Sequence, residues 1–98
     1  MINEVIILGK YKFIDKDCIE VNHRNFYKVI IEVEKGFKEK NNTFIYDEIV
    51  CLFWKGEAVK VFDLKSPNLW ISVKGRLAVY NDQMYVIAEK VKYINQFD

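Results

Sequence analysis

The chain has 98 residues, of which 51% are hydrophobic and 30% are charged, and its formal net charge is +1. This length predicts one domain over residues 1–98 and excludes a second domain of ordinary size, while the apolar fraction is sufficient for a core. The near-neutral charge does not exclude nucleic acid as a partner, because the distribution of charge matters more than its total.

Residue counts and spacing exclude several kinds of chemical site. Cys18 and Cys51 are far apart and His23 is the single histidine, so neither a zinc site nor any cofactor is expected. The adjacent carboxylates Asp47 and Glu48 point to opposite faces of a predicted strand, which is poor geometry for acid–base catalysis, and we predict that the protein is not an enzyme. The sequence shows no signal peptide and no apolar run as long as a membrane span, so we expect a cytoplasmic protein with no membrane partner.

The first predicted strand covers residues 3–14 and contains a glycine near its centre. Residues 5–8 form a continuous apolar run typical of a strand buried on both faces, whereas residues 8–14 alternate between apolar side chains and lysines. Gly9 stands at this change, and a glycine inside a strand often marks a bend at a barrel corner. We predict one long, bent strand whose halves serve the two sheets of a small barrel. An ordinary edge strand that contains a glycine is the alternative.

The next segments alternate between polar loops and a strand. Residues 15–25 are polar and predict a loop, with room for a short extended piece at residues 18–21. Residues 26–34 alternate between apolar and charged side chains and predict a half-buried second strand. Residues 35–42, which contain Gly36 and two asparagines, predict a hairpin loop.

The third predicted strand, residues 43–54, carries apolar side chains on both faces. We assign to the core the face with the smaller and more aliphatic side chains, which are Ile45, Ile49, Cys51 and Phe53. The opposite face, which ends at Trp54, is then unusually apolar and aromatic for a surface.

The remaining chain predicts a short helix and two more strands. Apolar side chains recur at helical spacing in residues 56–64, and Pro67 stops that pattern. The fourth strand is predicted over residues 69–77, with Leu77 facing inward, and the fifth over residues 84–94 after a turn at residues 80–83. Five strands with one short helix after the third predict an all-β fold, the OB-fold, a five-stranded Greek-key barrel that commonly binds oligonucleotides.

Four segments carry motifs that occur together in one family. Residues 3–9 (Asn-Glu-Val-Ile-Ile-Leu-Gly) are similar to an opening Asn-x-Val-x-Leu-x-Gly, and residues 73–77 (Val-Lys-Gly-Arg-Leu) to a later Val-x-Gly-x-Leu. Residues 86–94 (Val-Ile-Ala-Glu-Lys-Val-Lys-Tyr-Ile) are similar to a closing Val-x-Ala-Asp/Glu-x-Val-x-Phe-Leu. Residues 55–58 (Lys-Gly-Glu-Ala) are similar to Gly-Lys-x-Ala at a helix start. The chain thus resembles the bacterial single-stranded DNA-binding proteins, whose ancestry primosomal replication protein N shares.

The resemblance implies a non-enzymatic domain that binds single-stranded DNA with little sequence preference during bacterial DNA replication, repair or recombination. It also implies a homo-oligomer, either a dimer or a tetramer. Members of the family recruit replication proteins through an acidic C-terminal tip, which residues 95–98 (Asn-Gln-Phe-Asp) do not match, so we do not expect that recruitment. An OB-fold module for protein–protein contact, such as a primosomal or phage accessory subunit, is the alternative function.

Binding of single strands needs aromatic faces on which bases stack. The aromatic residues that the sequence places on outer strand faces, in the loop at residues 35–42 or at the last turn are Trp54, Tyr46, Phe44, Trp70, Phe37 and Tyr80. Packing in the core or against another subunit is the alternative for each of them. The outer apolar residues Ile30, Val50 and Leu52 are candidates for contact with DNA or with another subunit.

The same binding needs basic side chains that neutralise phosphates. The candidates, which lie beside these aromatic residues or on neighbouring strands, are Lys10, Lys12, Arg24, Lys28, Lys35, Lys38, Lys40, Lys55, Lys74 and Arg76. Only two of the 15 basic residues are arginines. Because arginine is the side chain that reads guanine through two hydrogen bonds, this ratio favours binding that depends little on sequence.

Overall fold

The computed structural model describes residues 1–38 and 44–95, which form five strands and one helix. The elements are β1 (Val5–Val21), β2 (Arg24–Lys38), β3 (Phe44–Trp54), α1 (Lys55–Leu64), β4 (Leu69–Tyr80) and β5 (Gln83–Asn95). The strands close into a barrel in the order β1-β2-β3-β5-β4, in which only the β3–β5 pair is parallel. The predicted OB-fold, with its helix between the third and fourth strands, is confirmed.

The barrel closes because β1 changes its partner strand near Gly9. From Val5 to Lys10 the strand pairs with β4, and from Lys10 onward it pairs with β2. A Cβ atom on Gly9 would lie 2.4 Å from Cγ2 of Ile31 and 2.5 Å from the carbonyl oxygen of Glu32, so no larger residue fits between the strands. The predicted bend and the division of β1 between two sheets are confirmed.

The core fills the barrel and shows which face of β3 points inward. Cys51 and Phe53 are 0% exposed, whereas Trp54 is 40% exposed, so the predicted assignment of the two faces is confirmed. Other fully buried side chains come from β2, α1 and β4, namely Val29, Ile31, Val61, Leu69, Ile71 and Val73.

Helix α1 is held against the barrel by one aromatic contact and one buried hydrogen bond. The ring of Phe62 meets the ring of Tyr27 edge-on, with 6.1 Å between the ring centroids. The hydroxyl of Tyr93 donates to Oε2 of the buried Glu57 at 2.7 Å, which satisfies a carboxylate that would otherwise be costly to bury. Burial, together with the Glu57 carboxylate, raises the pKa of Tyr93.

Three predicted strand ends are wrong, because the strands continue beyond the predicted limits. Residues 35–38, predicted as part of a hairpin loop, belong to β2. Residues 15–21 belong to β1, although a loop with only a short extended piece at residues 18–21 was predicted there, and β1 ends at a two-residue turn in which Asn22 and His23 have φ values of 50° and 64°. β4 pairs with β1 as far as Gly75 and then continues with β5 alone, which leaves Leu77 40% exposed although it was predicted to face inward. Beyond the barrel the two-stranded ribbons are covered only where the hairpins meet, so most of their residues need not alternate between apolar and polar side chains.

The apolar run of β1 is buried on one face only. Val5 and Ile7 pack against the core, but Ile6 is 69% exposed and Leu8 is 51% exposed. Burial on both faces, as the sequence predicted, is therefore wrong for the single chain, because the outer surface of a barrel wall faces solvent.

A second apolar cluster lies on the outer face of β3. Leu52, a predicted surface residue, is 0% exposed and packs with Val21 of the β1–β2 hairpin and Tyr85 of the β4–β5 hairpin. The hairpins also touch where Nδ2 of Asn22 donates a hydrogen bond to the hydroxyl oxygen of Tyr80 at 3.3 Å. The two hairpins thus cover the middle of this face, and Leu52 is not available for contact with DNA or another subunit.

Gly75 provides a test of backbone packing. A Cβ atom at this position would lie 1.9 Å from the carbonyl oxygen of Ile87, so Gly75→Ala forces β4 and β5 apart. We expect the free energy of unfolding in urea to fall by about 3 kcal/mol, the upper end for an overpacked site. The matched control is Gly56→Ala in α1, where a Cβ atom has ordinary contacts at 3.4 Å or more and is expected to stabilise the helix by about 0.5–1 kcal/mol. Equal effects of the two changes would contradict this packing.

Leu52 provides a test of the hairpin cover. Because its side chain is fully buried, we expect Leu52→Ala to lower the free energy of unfolding by about 2–5 kcal/mol. Leu64→Ala, at a 38% exposed position, removes the same atoms and is expected to cost less than about 1 kcal/mol. A cost for Leu52→Ala as small as that of the control would show that the hairpins do not close over β3 in solution.

Candidate nucleic-acid interface

Trp54, at the end of β3, lies in a groove on the outside of the barrel. The groove has a volume of about 580 Å³ and is also lined by Arg24 of β2, by Arg76 of β4 and by Tyr80 at the end of β4. Its other lining residues are Val21, Asn22, Asn25, Phe26, Ile87, Ala88 and Glu89. The structure therefore brings together four of the candidate residues, among them both arginines of the chain.

The junction between β3 and α1 keeps the indole of Trp54 on the surface. Trp54 is in an extended conformation with φ −69° and ψ 163°, and the helix begins at the next residue, Lys55. The alternation of the strand puts Phe53 in the core and Trp54 outside, opposite Phe26 of β2. The groove thus contains two neighbouring aromatic side chains on which bases can stack.

The arginines differ from several candidate lysines in their ion pairs. Within the described residues, neither Arg24 nor Arg76 has a carboxylate within 4.0 Å. Three of the candidate lysines do have a partner: Lys12 pairs with Glu48, Lys35 with Asp47 at 3.1 Å and Lys74 with Glu4 at 3.2 Å. Because a paired lysine must give up its carboxylate to bind a phosphate, the two arginines are the better candidates for phosphate contacts.

Lys28 lies behind the hairpin cover rather than in the Trp54 groove. Its Nζ atom is 5.8 Å from the centroid of the Tyr85 ring, a distance at which the cation is attracted to the ring. The side chain is half-buried beside the Asn22–Tyr80 contact, in a small cavity of about 290 Å³. Exposed Lys55, by contrast, directly follows Trp54.

The remaining aromatic candidates lie away from the Trp54 groove or outside the described side chains. Tyr46 is 48% exposed on the same strand, but eight residues separate it from Trp54, or about 26 Å along β3. Trp70 is half-buried and stands about 20 Å along β4 from Arg76, which places it apart from that arginine. Lys40 lies outside the described residues, and the side chains of Phe37, Lys38 and Phe44 lie outside the part of the chain that can be described.

A second groove contains Lys10 and Lys12 at the bend of β1. It has a volume of about 420 Å³, and Lys65, Ser66 and Pro67 from the connection between α1 and β4 contribute to its wall together with Tyr11 and Glu32. Trp70 is the cross-strand partner of Lys10, so this aromatic residue belongs to the same side of the barrel. The charged side chains that line this groove are Lys10, Lys12, Lys65 and Glu32, and Lys12 is paired with Glu48.

Among the groove-lining residues that sequence reasoning did not select are Asn22, Phe26, Lys65 and Glu89. A signal existed for Phe26, because the alternation that puts Tyr27 inside puts Phe26 outside, next to Arg24. The positions of Asn22 and Lys65 depend on contacts between distant segments, which alternation does not reveal.

The thiol of Cys51 is buried in the core. Burial raises the pKa of the Cys51 thiol to about 12, which keeps it protonated and unreactive at neutral pH.

Across residues 1–38 and 44–95, no three histidine, cysteine or carboxylate side chains are grouped so as to hold a metal ion. In the same part of the chain, no helix has the length and hydrophobicity needed to cross a membrane.

Comparison with known proteins finds similarity at the level of structure. No protein-family model matches this chain, and no curated protein matches it. The N-terminal domain of PriB from Thermoanaerobacter tencongensis, described as dimeric, superposes with a TM-score of 0.55 and 20% sequence identity, over 96% of this chain and 98% of that one.

Two single-stranded DNA-binding proteins superpose equally broadly. A small one from Mycoplasma pneumoniae has a TM-score of 0.63 and 17% identity, over 94% of this chain and 93% of its own. The protein from Plasmodium falciparum, solved with single-stranded DNA, has a TM-score of 0.60 and 15% identity, over 99% of this chain and 96% of its own. At these identities the likeness shows a common fold. The structural neighbours are thus proteins of the kind that the sequence motifs resemble.

Proposed function

We propose that this protein binds single-stranded DNA without catalysing a reaction, and that it acts in DNA replication, repair or recombination in a bacterial cell. The observation that carries the proposal is the groove in which Trp54 lies together with Arg24 and Arg76. Stacking on an aromatic face and neutralisation of phosphates are the two interactions that single strands require. Because every base has a stacking face, such a groove tolerates most sequences.

The Trp54 groove lies on the outer face of β3 beside the neighbouring hairpins, which is the surface that an OB-fold is expected to use for binding. Here the hairpins meet over Leu52, so the strand of DNA is expected to pass beside their contact, over Trp54, rather than across the middle of β3. Several structural neighbours are described as single-stranded DNA-binding proteins, which supports the proposal. The lysines near the groove, such as Lys55, are proposed to add weaker phosphate contacts.

A protein–protein interaction module is the second candidate function. It is favoured by Ile6 and Leu8, two apolar side chains that are exposed on the outer face of β1. A surface that contacts only solvent does not need such side chains. A fluorescence titration with oligo-dT separates the two, because stacking on a base quenches indole fluorescence and protein contact alone leaves oligo-dT unbound.

We also propose that the protein forms a homo-oligomer, a dimer or a tetramer. Linking several binding domains raises the affinity for a long strand through the effective concentration of the second site. The exposed Ile6 and Leu8 supply apolar area for such a contact, and one structural neighbour is described as dimeric. We expect light scattering at micromolar concentration to give a mass at least twice that of the 11.7 kDa chain. A monomer under these conditions would contradict the proposal.

Trp54 is expected to stack on a base. In a Trp70→Phe background Trp54 is the remaining indole, and its fluorescence should fall as oligo-dT is added. Trp54→Leu should weaken binding by about 1–3 kcal/mol, whereas Trp54→Phe, which keeps an aromatic face, should retain most of the affinity. Melting curves of both variants serve as the control for folding. If Trp54→Leu lowers the melting temperature but leaves the affinity of the folded protein unchanged, the residue has a structural role instead.

The two arginines are expected to carry more of the salt dependence than the paired lysines. Each phosphate contact on a single strand contributes a slope of about −0.7 to log K against log[salt], so Arg24→Gln and Arg76→Gln should each make the slope shallower by about that amount. Lys74→Gln, which removes a lysine already paired with Glu4, should change the slope much less. A wild-type affinity that is independent of salt, or equal effects of all three variants, would contradict this assignment.

A further inference from the structure

Glu89 occupies a β-bulge of β5 at the edge of the Trp54 groove. Lys74 of β4 pairs with Lys90, but the next residue, Gly75, pairs with Ala88, so Glu89 has no partner across the strands. As a result two consecutive exposed residues, Glu89 and Lys90, stand between Ala88 and Val91, which lie in or against the core. The bulge therefore directs an additional side chain to the outside of the barrel.

Glu89 and Trp54 follow the same pair of strands. Leu52 of β3 is paired with Ile87 of β5, the last pair between these parallel strands in the described residues, and each of Trp54 and Glu89 stands two residues beyond it. Both side chains line the groove. Arg24 and Arg76 come from β2 and β4, the strands on either side of β3 and β5.

The carboxylate of Glu89 does not favour the binding of phosphates in this groove. Within the described residues, no lysine or arginine nitrogen lies within 4.0 Å of it, so it is not there to pair with the arginines. Its negative charge opposes the binding of a polyanion. A carboxylate is purely an acceptor of hydrogen bonds, and its two oxygens suit two adjacent N–H donors.

We propose that Glu89 accepts hydrogen bonds from the Watson–Crick edge of the base that stacks on Trp54, and that this position prefers guanine. Guanine presents its ring N1–H and its exocyclic amino group side by side, which matches both carboxylate oxygens. Thymine presents one N–H between two carbonyl oxygens, which a carboxylate repels. A protein reads unstacked bases one at a time through their edges, so Glu89 contacts only this base. Binding of the rest of the strand therefore stays tolerant of sequence.

This inference rests on the proposed function, and the test separates the two. Short oligonucleotides of seven thymidines are compared with the same oligonucleotide carrying a single central deoxyguanosine or deoxyinosine, which lacks the exocyclic amino group. Affinities are measured by Trp54 fluorescence in the Trp70→Phe background. We expect the guanine oligonucleotide to bind at least about fivefold more tightly than heptathymidine, the lower bound for a bidentate contact, and inosine to lose most of that gain.

Glu89→Gln supplies the decisive comparison. It should remove the preference for guanine while binding heptathymidine at least as tightly as wild type, because it removes a negative charge from the groove. Asp63→Asn, which removes the same charge from an exposed position on α1, should leave the preference intact. Melting curves establish that both variants are folded.

Three results would overturn the inference. Equal affinity for guanine, inosine and thymine oligonucleotides would refute the base preference and leave single-strand binding standing. A guanine preference that survives Glu89→Gln would assign it to another residue. Absence of binding to all three oligonucleotides at low salt would refute the proposed function together with this inference.

Discussion

The structure depends on two places where strand backbones approach so closely that only glycine fits. At Gly9 the strand β1 turns from β4 to β2, and this change of partner converts a five-stranded sheet into a closed barrel. At Gly75 the backbone of β5 bulges toward β4, and the bulge sets which side chains of β5 face the outside. A side chain at either position would separate strands whose pairing holds the core residues in place. Closure also leaves few strand edges exposed, which limits pairing with other chains.

The outer face of β3 is covered in its middle and open at its end. Its middle is covered by the β1–β2 and β4–β5 hairpins, which bury Leu52 and meet at the Asn22–Tyr80 hydrogen bond. Its end, at Trp54, stays open and forms a groove with residues of the same two hairpins. The cluster around Leu52 therefore stabilises the hairpins and at the same time fixes the position of Arg24, which belongs to one of them. Packing and the shape of the proposed binding groove are coupled here through the hairpins rather than through the main core.

Electrostatics distinguishes side chains that look equivalent by composition. The total charge is close to zero, and the ion pairs of Lys12, Lys35 and Lys74 show where many of the charges are neutralised. Exposed pairs of this kind contribute little to stability, but they reduce the attraction of those lysines for phosphate. The arginines, which have no such partner in the described part of the chain, give the Trp54 groove its positive character. Glu89 adds one negative charge to the same groove, and we propose that it contacts the edge of a base rather than a phosphate.

The sequence by itself determined the order of elements, the inward faces of β2 and β3 and the bend at Gly9. These follow from the period of two that burial on one face imposes, as in the alternation of Cys51, Phe53 and Trp54, and from a glycine where that pattern changes. It also identified Trp54 as an outward aromatic residue and pointed to Arg24 and Arg76 as candidates for phosphate contacts.

Only the tertiary structure decided the ends of β1 and β4, because the side chains there, such as Val21, are covered by the other hairpin and not by the main core. It also decided that Leu52 is buried, that Arg76 lies with Trp54 rather than with Trp70, and that Lys74 is paired with Glu4. Each of these depends on contacts through space between residues far apart in the chain. A pattern in one segment has no information about which other segment will cover it or neutralise its charge.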